Sequence, residues 1–267
     1  MMVDENIVRY LEKLSKDDPD WPALKNALAY FKNTYDTITI THTKERIECI
    51  GSYIDSVKSN NKKAIDVGSN FGIITFVLAE KGYKTIAVDT YKRIFDKILL
   101  PIAKYKKIDD DIDYYVGYGE KLPYDDNYFD IVTCGDVIEH IENKKLEAFL
   151  NEINRILKTN GTLIITTPNG NNISKKFLNK HGLFINEEHI KEYKFNELKD
   201  ILLTNGFEIH NYQFINHDLF PMSIFSEKYP KFYNLFYTTL KSVCKKIITF
   251  NEIFSLGIVI KCTKVMA

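Results

Sequence analysis

The chain has 267 residues, enough to bury one large core, so a second domain is allowed but not required. Lysine plus arginine equal aspartate plus glutamate at 36 each, which argues against the broad positive field that nucleic-acid backbones select. The cysteines are widely spaced, without a C-x-x-C pair or a zinc-like spacing, and they predict reduced thiols. The acidic N-terminal stretch lacks the apolar run of a signal peptide. We therefore predict a cytoplasmic protein that does not bind nucleic acid.

The first 60 residues are expected to be helical. Ile7, Leu11 and Leu14 recur at helical spacing, and a second set of apolar residues repeats the pattern after the break "DDPDWP". We expect residues 1–60 to form a helical cap in front of a larger domain that covers residues 61–267.

From residue 63 the pattern changes to short apolar runs that alternate with amphipathic segments. Strands are predicted at 63–67, 84–89, 111–117, 129–135 and 162–168. Helices are predicted at 72–82 and 143–161, each closed by a glycine. This alternation is typical of a parallel sheet that is covered on both faces.

The pattern loosens after Pro168. Residues 169–193 are polar and rich in asparagine, which is typical of a surface loop that carries function, and we expect this loop to act as a lid. A helix, a glycine stop and a strand follow in 194–216, and a last strand is predicted at 255–265. The insertion 217–250 between them is rich in Phe and Tyr, and charge and proline interrupt it too often for a membrane span.

The stretch "IDVGSNFG" (65–72) is a strand that runs into a turn with two glycines. Gly68 and Gly72 allow a ligand to approach backbone N–H groups at the start of a helix. Asp89 ends the next strand, 21 residues after Gly68, where a carboxylate can accept hydrogen bonds from ribose hydroxyls. At this point a nicotinamide dinucleotide and an adenosyl ligand both fit the pattern.

Two residues of this turn favour the adenosyl ligand. Asn70 replaces the glycine that gives a pyrophosphate its closest approach to the backbone. Asp66 lies just before the turn, where its negative charge would repel a phosphate but would suit a cation such as a sulfonium.

Three segments in order resemble successive motifs of the class I S-adenosylmethionine-dependent methyltransferases. They are "AIDVGSNFGIITFVLAEKGYKTIAVD", "GYGEKLPYDDNYFDIVTCGDVIEHI" and "INRILKTNGTLIITTPNG", within about residues 63–208. The likeness is greatest to the small-molecule branch with ubiquinone-biosynthesis and sugar O-methyltransferases. It implies a doubly wound, Rossmann-like α/β fold with helices on both faces of a mostly parallel seven-stranded sheet. Its last strand would be antiparallel, and the N-terminal helices and the insertion would cap it.

The resemblance also implies a cofactor, S-adenosyl-L-methionine, with S-adenosyl-L-homocysteine as product, and it assigns residues to them. The methionine part would be surrounded by Asp66, Gly68, Asn70 and Gly72. Asp89 would hold the ribose, with Thr90 in the same site. Gly119, Glu120 and Leu122 would border the adenine, while backbone carbonyls of Cys134 and Gly135 would face the sulfonium. Tyr118 stands where the family often has an Asp that binds the adenine amine.

Methyl transfer from a sulfonium is an in-line displacement, so holding the acceptor close and aligned supplies much of the rate. A hydroxyl acceptor also needs a group to take its proton. We rank His189 first for this role, then Asp136, then His140, and Glu139 and His181 are further, unranked candidates. Asp136 could instead cap a helix, and His140 could be a packed histidine. Glu187, Glu188 and His189 are adjacent and cannot all point at one ion, so no metal ligands are assigned.

The expected acceptor is a hydroxyl of a sugar, a sugar nucleotide or another polar metabolite, followed by a quinone-type lipid ring and then by an amine. Aromatic residues of the insertion could line the pocket, form a homodimer contact or simply pack in the core. Two other classes stay open. One is a nicotinamide-dependent oxidoreductase, and the other is an inactive partner subunit that keeps the adenosyl pocket.

Overall fold

The computed structural model describes residues 5–18, 21–32, 37–173, 176, 189–217, 252–253 and 255–265. His181, most of the predicted lid and nearly all of the aromatic insertion therefore lie outside the described residues. The expected homodimer contact through that insertion lies outside them as well.

Within the described residues, seven strands form one sheet. They are β1 Lys63–Val67, β2 Lys84–Asp89, β3 Ile112–Val116, β4 Phe129–Gly135, β5 Leu157–Pro168, β6 Phe207–His217 and β7 Ser255–Lys264. The strand order is β3-β2-β1-β4-β5-β7-β6. Strand β7 is antiparallel to β5 and β6, and the other neighbouring pairs are parallel. The predicted mostly parallel sheet with an antiparallel last strand is confirmed.

Helices cover both faces of this sheet. Their bounds are α1 Glu5–Asp17, α2 Pro22–Lys32, α3 Thr37–Asp55, α4 Ile73–Glu80, α5 Lys92–Ile94, α6 Leu100–Lys106, α7 Asn143–Ile156 and α8 Phe195–Thr204. Strand β4 shows why two layers are needed, because successive side chains of a strand point to opposite faces. Val132 belongs to the core under α7 and α8, and Ile131 packs on the other face with α3 and α4. No helix in the described ranges is both long and apolar enough to cross a membrane.

Helix α7 ends five residues earlier than predicted. The apolar spacing continues to Leu157, but Leu157 already has an extended backbone and pairs with Phe129 of β4. Asn160, at φ 62°, then adopts the left-handed conformation within β5. The prediction of a helix to Gly161 was wrong because Leu157 is buried in the core that α7 also covers, so the apolar pattern could not mark the boundary.

Residues 92–106 form a helical segment that the sequence did not predict. Helices α5 and α6 are joined by a π-helical turn, Phe95–Leu99, and Phe95 and Ile98 are fully buried. The segment packs against α1 and α2, whose Leu11 and Leu24 belong to the same core. The predicted helical character of the N-terminal region is confirmed, while a domain boundary at residue 60 stays a prediction.

Candidate functional site

A cavity of about 970 Å³ lies at the carboxyl ends of β1, β2, β3 and β4. Its walls are formed by residues 66–74, 88–91, 117–120, 135–137 and 140–142, with contributions from Asn26, Tyr30, Arg46, Lys145, Phe149 and Ile190. The strand order reverses between β1 and β4, and that is where open α/β sheets bind ligands. The N-terminal helices α2 and α3 supply one wall of this cavity.

The first turn satisfies its own hydrogen bonds. The N–H groups of Gly68 and Ser69 both donate to the carbonyl of Val88, at 2.8 and 2.9 Å, and the N–H of Gly72 donates to the carbonyl of Ser69 at 2.9 Å. The N–H groups of the two glycines are therefore used within the fold, and the approach of a ligand to other N–H groups at the start of α4 stays a prediction. A pyrophosphate would find these three donors already used.

Asp89 holds the turn in place and is oriented for a ligand. One carboxylate oxygen accepts from the N–H of Asn70 at 2.9 Å, and the other accepts from the N–H of Thr90 at 2.7 Å. A carboxylate has about four acceptor positions, so Asp89 keeps capacity for ribose hydroxyls. Asp89, Asn70 and Thr90 all line the cavity.

Asp66 borders the cavity, but its carboxyl group serves the fold. It is 1% exposed and accepts hydrogen bonds from the hydroxyls of Thr75 and Thr133, both at 2.7 Å. Burial raises the pKa of Asp66 to about 6, and the two hydroxyl groups oppose that rise. The carboxyl group of Asp66 therefore links β1 to β4 and to the start of α4. This structural role exists beside the attraction for a cation that the sequence suggested.

The expected adenine side is only partly in the cavity. Tyr118, Gly119 and Glu120 line it, and Tyr118 is strongly exposed. Leu122 is buried and lines a smaller adjoining pocket of about 490 Å³, to which Tyr118 and Glu120 also contribute. Cys134 packs in the core instead of lining the cavity, and its neighbour Gly135 lines the wall.

Ser69 is a site residue that the sequence interpretation missed. Its hydroxyl oxygen is buried and has no hydrogen-bond partner among the described residues, although Ser69 lines the cavity. A buried hydroxyl of this kind costs free energy unless a ligand or water satisfies it. Together with the acceptor capacity of Asp89, this orphaned hydroxyl fits a polar ligand such as the adenosyl cofactor.

Asp136 lies opposite this turn, at the end of β4. It has φ 54°, forms an ion pair with Arg46 of α3, and accepts a hydrogen bond from the hydroxyl of Thr166 at 2.8 Å. The short helical turn that follows has Val137 at its N-cap position and no side-chain cap, so Asp136 does not cap it. Arg46, which the sequence interpretation missed, brings a cationic side chain to this end of the cavity.

The two ranked histidines come together at the same end. His140 is exposed and lines the cavity, and its ring lies edge-on to that of His189 with centroids 5.0 Å apart. Nδ1 of His189 is 2.8 Å from a carboxylate oxygen of Glu192. The alternative of a packed, buried His140 is not what the structure shows.

Glu139, between Asp136 and these histidines, is a candidate that the sequence analysis left unranked. It is fully buried, and one carboxylate oxygen accepts from the hydroxyl of Thr167 at 3.0 Å. Burial raises the pKa of Glu139 to about 7. The stretch "VIEHI" gave a signal, because a charged residue between apolar neighbours in a tight turn can face inwards.

This sheet, with its cavity at the reversal of strand order and an acidic residue at the end of β2, defines an α/β domain of the adenosine-binding, Rossmann-like class. The profile of a family described as a methyltransferase domain matches residues 65–165. A solved structure of S-adenosylmethionine-dependent methyltransferases from Methanosarcina mazei has the same fold, with a TM-score of 0.57 and 17% identity over 80% of this chain and 97% of that one.

Two relatives extend this comparison. An uncharacterized protein of Methanocaldococcus jannaschii is 33% identical over 153 residues, which are 56% of this chain and 61% of that protein. A ubiquinone biosynthesis O-methyltransferase of Pelagibacter ubique is 28% identical over 162 residues, which are 60% of this chain and 64% of that protein. The matches thus span less than two thirds of either relative. Residues 65–165 form a class I S-adenosylmethionine-dependent methyltransferase domain, and S-adenosylmethionine is its cofactor.

Proposed function

We propose that this chain transfers a methyl group from S-adenosylmethionine to a hydroxyl group of a small-molecule acceptor. The observation that carries this proposal is that one cavity has two chemically different ends. One end has the pre-oriented carboxylate of Asp89, and the other has the ionisable side chains of Arg46, Asp136 and His140. The name of the Pelagibacter relative supports O-methylation.

When bound, S-adenosylmethionine supplies a methyl group on a sulfonium centre, which a nucleophile displaces in line. Asp89 would bind the ribose hydroxyls, and Ser69 would offer its hydroxyl to the same ligand. Gly119 allows this wall to pack closely on Phe149, because a Cβ built there would stand 2.5 Å from the ring of Phe149. These residues bind and orient, which is the main contribution that methyl transfer requires of a protein.

The opposite end would hold the acceptor. Arg46 and Asp136 are held together by an ion pair, and His140 and Ile190 lie on the same wall. A hydroxyl acceptor must lose a proton, and the side chains we propose to assist are His189, Asp136 and His140. His140 lines the cavity and its ring meets that of His189, so this histidine pair is our first candidate for the base.

A sugar or another polar metabolite is the acceptor class that we propose first, because the acceptor end is rich in polar and charged groups. A quinol hydroxyl is the second candidate, and the ubiquinone-biosynthesis relative is the observation that favours it. We also propose the cytoplasm as the compartment, since Cys49, Cys134 and Cys262 are buried thiols outside any disulfide.

Calorimetric titration of the full chain with S-adenosylhomocysteine and with NAD tests the cofactor assignment. We expect binding of the homocysteine product and no signal with NAD. The acceptor is then tested by the rate at which S-adenosylmethionine is converted to this product in the presence of sugar nucleotides, quinols and amines. Product binding without stimulation by any hydroxyl acceptor would contradict the transferase proposal and would favour the inactive partner subunit.

A further inference from the structure

Three metal-ligating side chains from two distant segments converge at the acceptor end. One carboxylate oxygen of Glu139 and one ring nitrogen each of His140 and His189 all lie within 4.8 Å of one another. Ligand atoms around a bound Zn²⁺ stand about 3 to 3.5 Å apart, because each lies about 2.1 Å from the ion. Displacements of these ligand atoms on the order of 1 Å would therefore bring all three into coordination distance of one cation.

Glu139 gives a second, independent indication of a ligand. Its residue exposure is 0%, and its Oε1 has no hydrogen-bond partner among the described residues, while Oε2 is bound by Thr167. Buried carboxylate oxygens are normally paired, because an unpaired one has lost its water without compensation. A cation between Glu139 and the histidines would supply that missing partner.

The surroundings of the cluster resemble the outer shell of a metal site. Nδ1 of His189 lies 2.8 Å from a carboxylate oxygen of Glu192, which is the kind of outer contact that orients a metal-binding imidazole. The carbonyl of Glu139 accepts from the N–H groups of Ile190 at 2.8 Å and Lys191 at 3.1 Å. These bonds hold the segment of His189 against the turn that carries Glu139 and His140.

We propose that Glu139, His140 and His189 bind a divalent transition-metal ion, such as Zn²⁺, at the acceptor end of the cavity. Two imidazoles and one carboxylate suit zinc, cobalt, nickel or iron, whereas magnesium and calcium prefer sites built from oxygen alone. The sequence assigned no metal ligands because it considered only the adjacent residues of "NEEH". The ligand set instead joins His189 to two residues about 50 positions earlier.

Three protein ligands leave coordination positions open, which is typical of catalytic and not of structural zinc sites. Because His140 lines the cavity, an acceptor oxygen can reach these positions from inside it. This role rests on the proposed methyl transfer. With the ion bound, His140 and His189 serve as ligands and not as the base. The ion lowers the pKa of a bound hydroxyl, whose proton leaves to water, and the oxygen–methyl bond then forms as the carbon–sulfur bond breaks.

Metal binding by the full chain tests this site directly, without any acceptor. The protein, freed of its affinity tag and of metal with a chelator, is titrated with Zn²⁺ by calorimetry and with Co²⁺ by visible absorption. We expect one ion per chain. Glu139→Gln and His189→Ala should each weaken binding about 100-fold, and Glu192→Gln about 10-fold, as is usual for an outer-shell partner.

His210→Ala is the matched control. His210 is a half-exposed histidine whose Nε2 contacts the hydroxyl of Thr263, remote from the cluster in the sheet, and its replacement should leave the affinity unchanged. Binding of S-adenosylhomocysteine by each variant shows that the fold is intact and tests the cofactor proposal separately. The metal site is refuted if no stoichiometric ion binds, or if Glu139→Gln and His189→Ala bind Zn²⁺ as well as His210→Ala does.

Discussion

The two ends of the cavity are built in opposite ways. At the cofactor end, the N–H groups of Gly68, Ser69 and Asn70 are all used by neighbouring carbonyl and carboxylate oxygens, so the turn is complete by itself. At the acceptor end, Glu139 keeps a buried oxygen without a partner among the described residues. The backbone of the cofactor turn therefore has its shape before any ligand binds, and the Ser69 hydroxyl is left to a ligand there, whereas the acceptor end has a buried carboxylate oxygen that only a ligand or an ion can complete.

The residues that we propose for cofactor binding therefore differ from those that we propose for the reaction with the acceptor. The cofactor end comes from one contiguous stretch of sequence and its neighbouring strand, within the residues that match the methyltransferase domain. The acceptor end also takes Arg46 from α3 and His189 from the segment before α8, which lie outside that match. Changes at the two ends should accordingly affect different measured quantities.

The largest effect on ligand binding is expected from Asp89→Ala. It removes the proposed ribose acceptor and the anchor of the Asn70 and Thr90 N–H groups. With about 1.5 to 3 kcal/mol for each hydrogen bond to a charged group, the affinity for S-adenosylhomocysteine should fall about 100-fold in calorimetry. Asp113→Ala is the control, because Asp113 also accepts from the next N–H, at 2.8 Å, but lies outside the cavity. Equal losses in both variants would refute a ligand-binding role for Asp89.

Gly68→Ala should follow, because it strains the closed turn. Gly68 has φ 75°, and a Cβ there would stand 2.2 Å from Cγ2 of Val137. We expect a loss of about 3 kcal/mol in the free energy of unfolding, of which about 1 kcal/mol comes from the backbone conformation. Gly82 has φ 81°, but only Lys62 lies near the position of an added Cβ. Gly82→Ala should therefore lose only the part of the unfolding free energy that comes from the backbone conformation. Adding Val137→Ala should restore most of the difference, and a double variant as unstable as Gly68→Ala would exclude the steric explanation.

The buried carboxyl of Asp66 predicts a pH dependence. Because burial raises its pKa to about 6, the fold favours the protonated form. This contribution to stability is present in full below the ordinary carboxyl pKa and is lost as the pH rises through about 6. The loss should be on the order of 2 to 3 kcal/mol in urea unfolding between pH 4 and pH 7. Asp66→Asn should remove this part of the slope, whereas exposed Asp96→Asn should keep it; the same slope in both would contradict the assignment.

Arg46→Gln should have the smallest effect and should be confined to the acceptor end. It breaks the ion pair with Asp136, so turnover with an active acceptor should fall about 10-fold, as for loss of a charge-assisted contact. The affinity for S-adenosylhomocysteine should stay within about twofold, since the hydrogen bonds of the cofactor turn are accepted by Val88, Ser69 and Asp89. Lys44→Gln, which removes an exposed pair with Glu48 in the same helix, is the control. A parallel loss of product affinity would show that the two ends are not separate.

The sequence predicted most of the sheet and the cofactor turn, because both depend on short-range patterns. Apolar runs mark strands, and two glycines mark the turn, in which the structure shows positive φ at Gly68, Asn70 and Gly72. The sequence could not predict which partner each polar side chain contacts. Arg46 meets Asp136 across 90 positions, and nothing local in α3 signals that contact.

The boundary of α7 and the burial of Glu139 were missed for a related reason. Leu157 satisfies the apolar pattern of the helix and also the core contact of the strand, so periodicity cannot separate the two. Glu139 carries a charge that composition assigns to the surface, but the short helical turn directs it inwards towards Thr167. Both facts depend on the neighbouring element and not on the residue itself.

The self-contained hydrogen bonding of the first turn has a consequence for ligand exchange. Ordering the backbone costs conformational entropy. The turn is already ordered in the folded protein, so cofactor binding requires little further loss of backbone entropy there. A turn bonded twice to the carbonyl of Val88 cannot open without breaking its strand contact. We therefore expect passage of the cofactor and its product to depend on the opposite wall, where Asn26 and Tyr30 of α2 face the cavity.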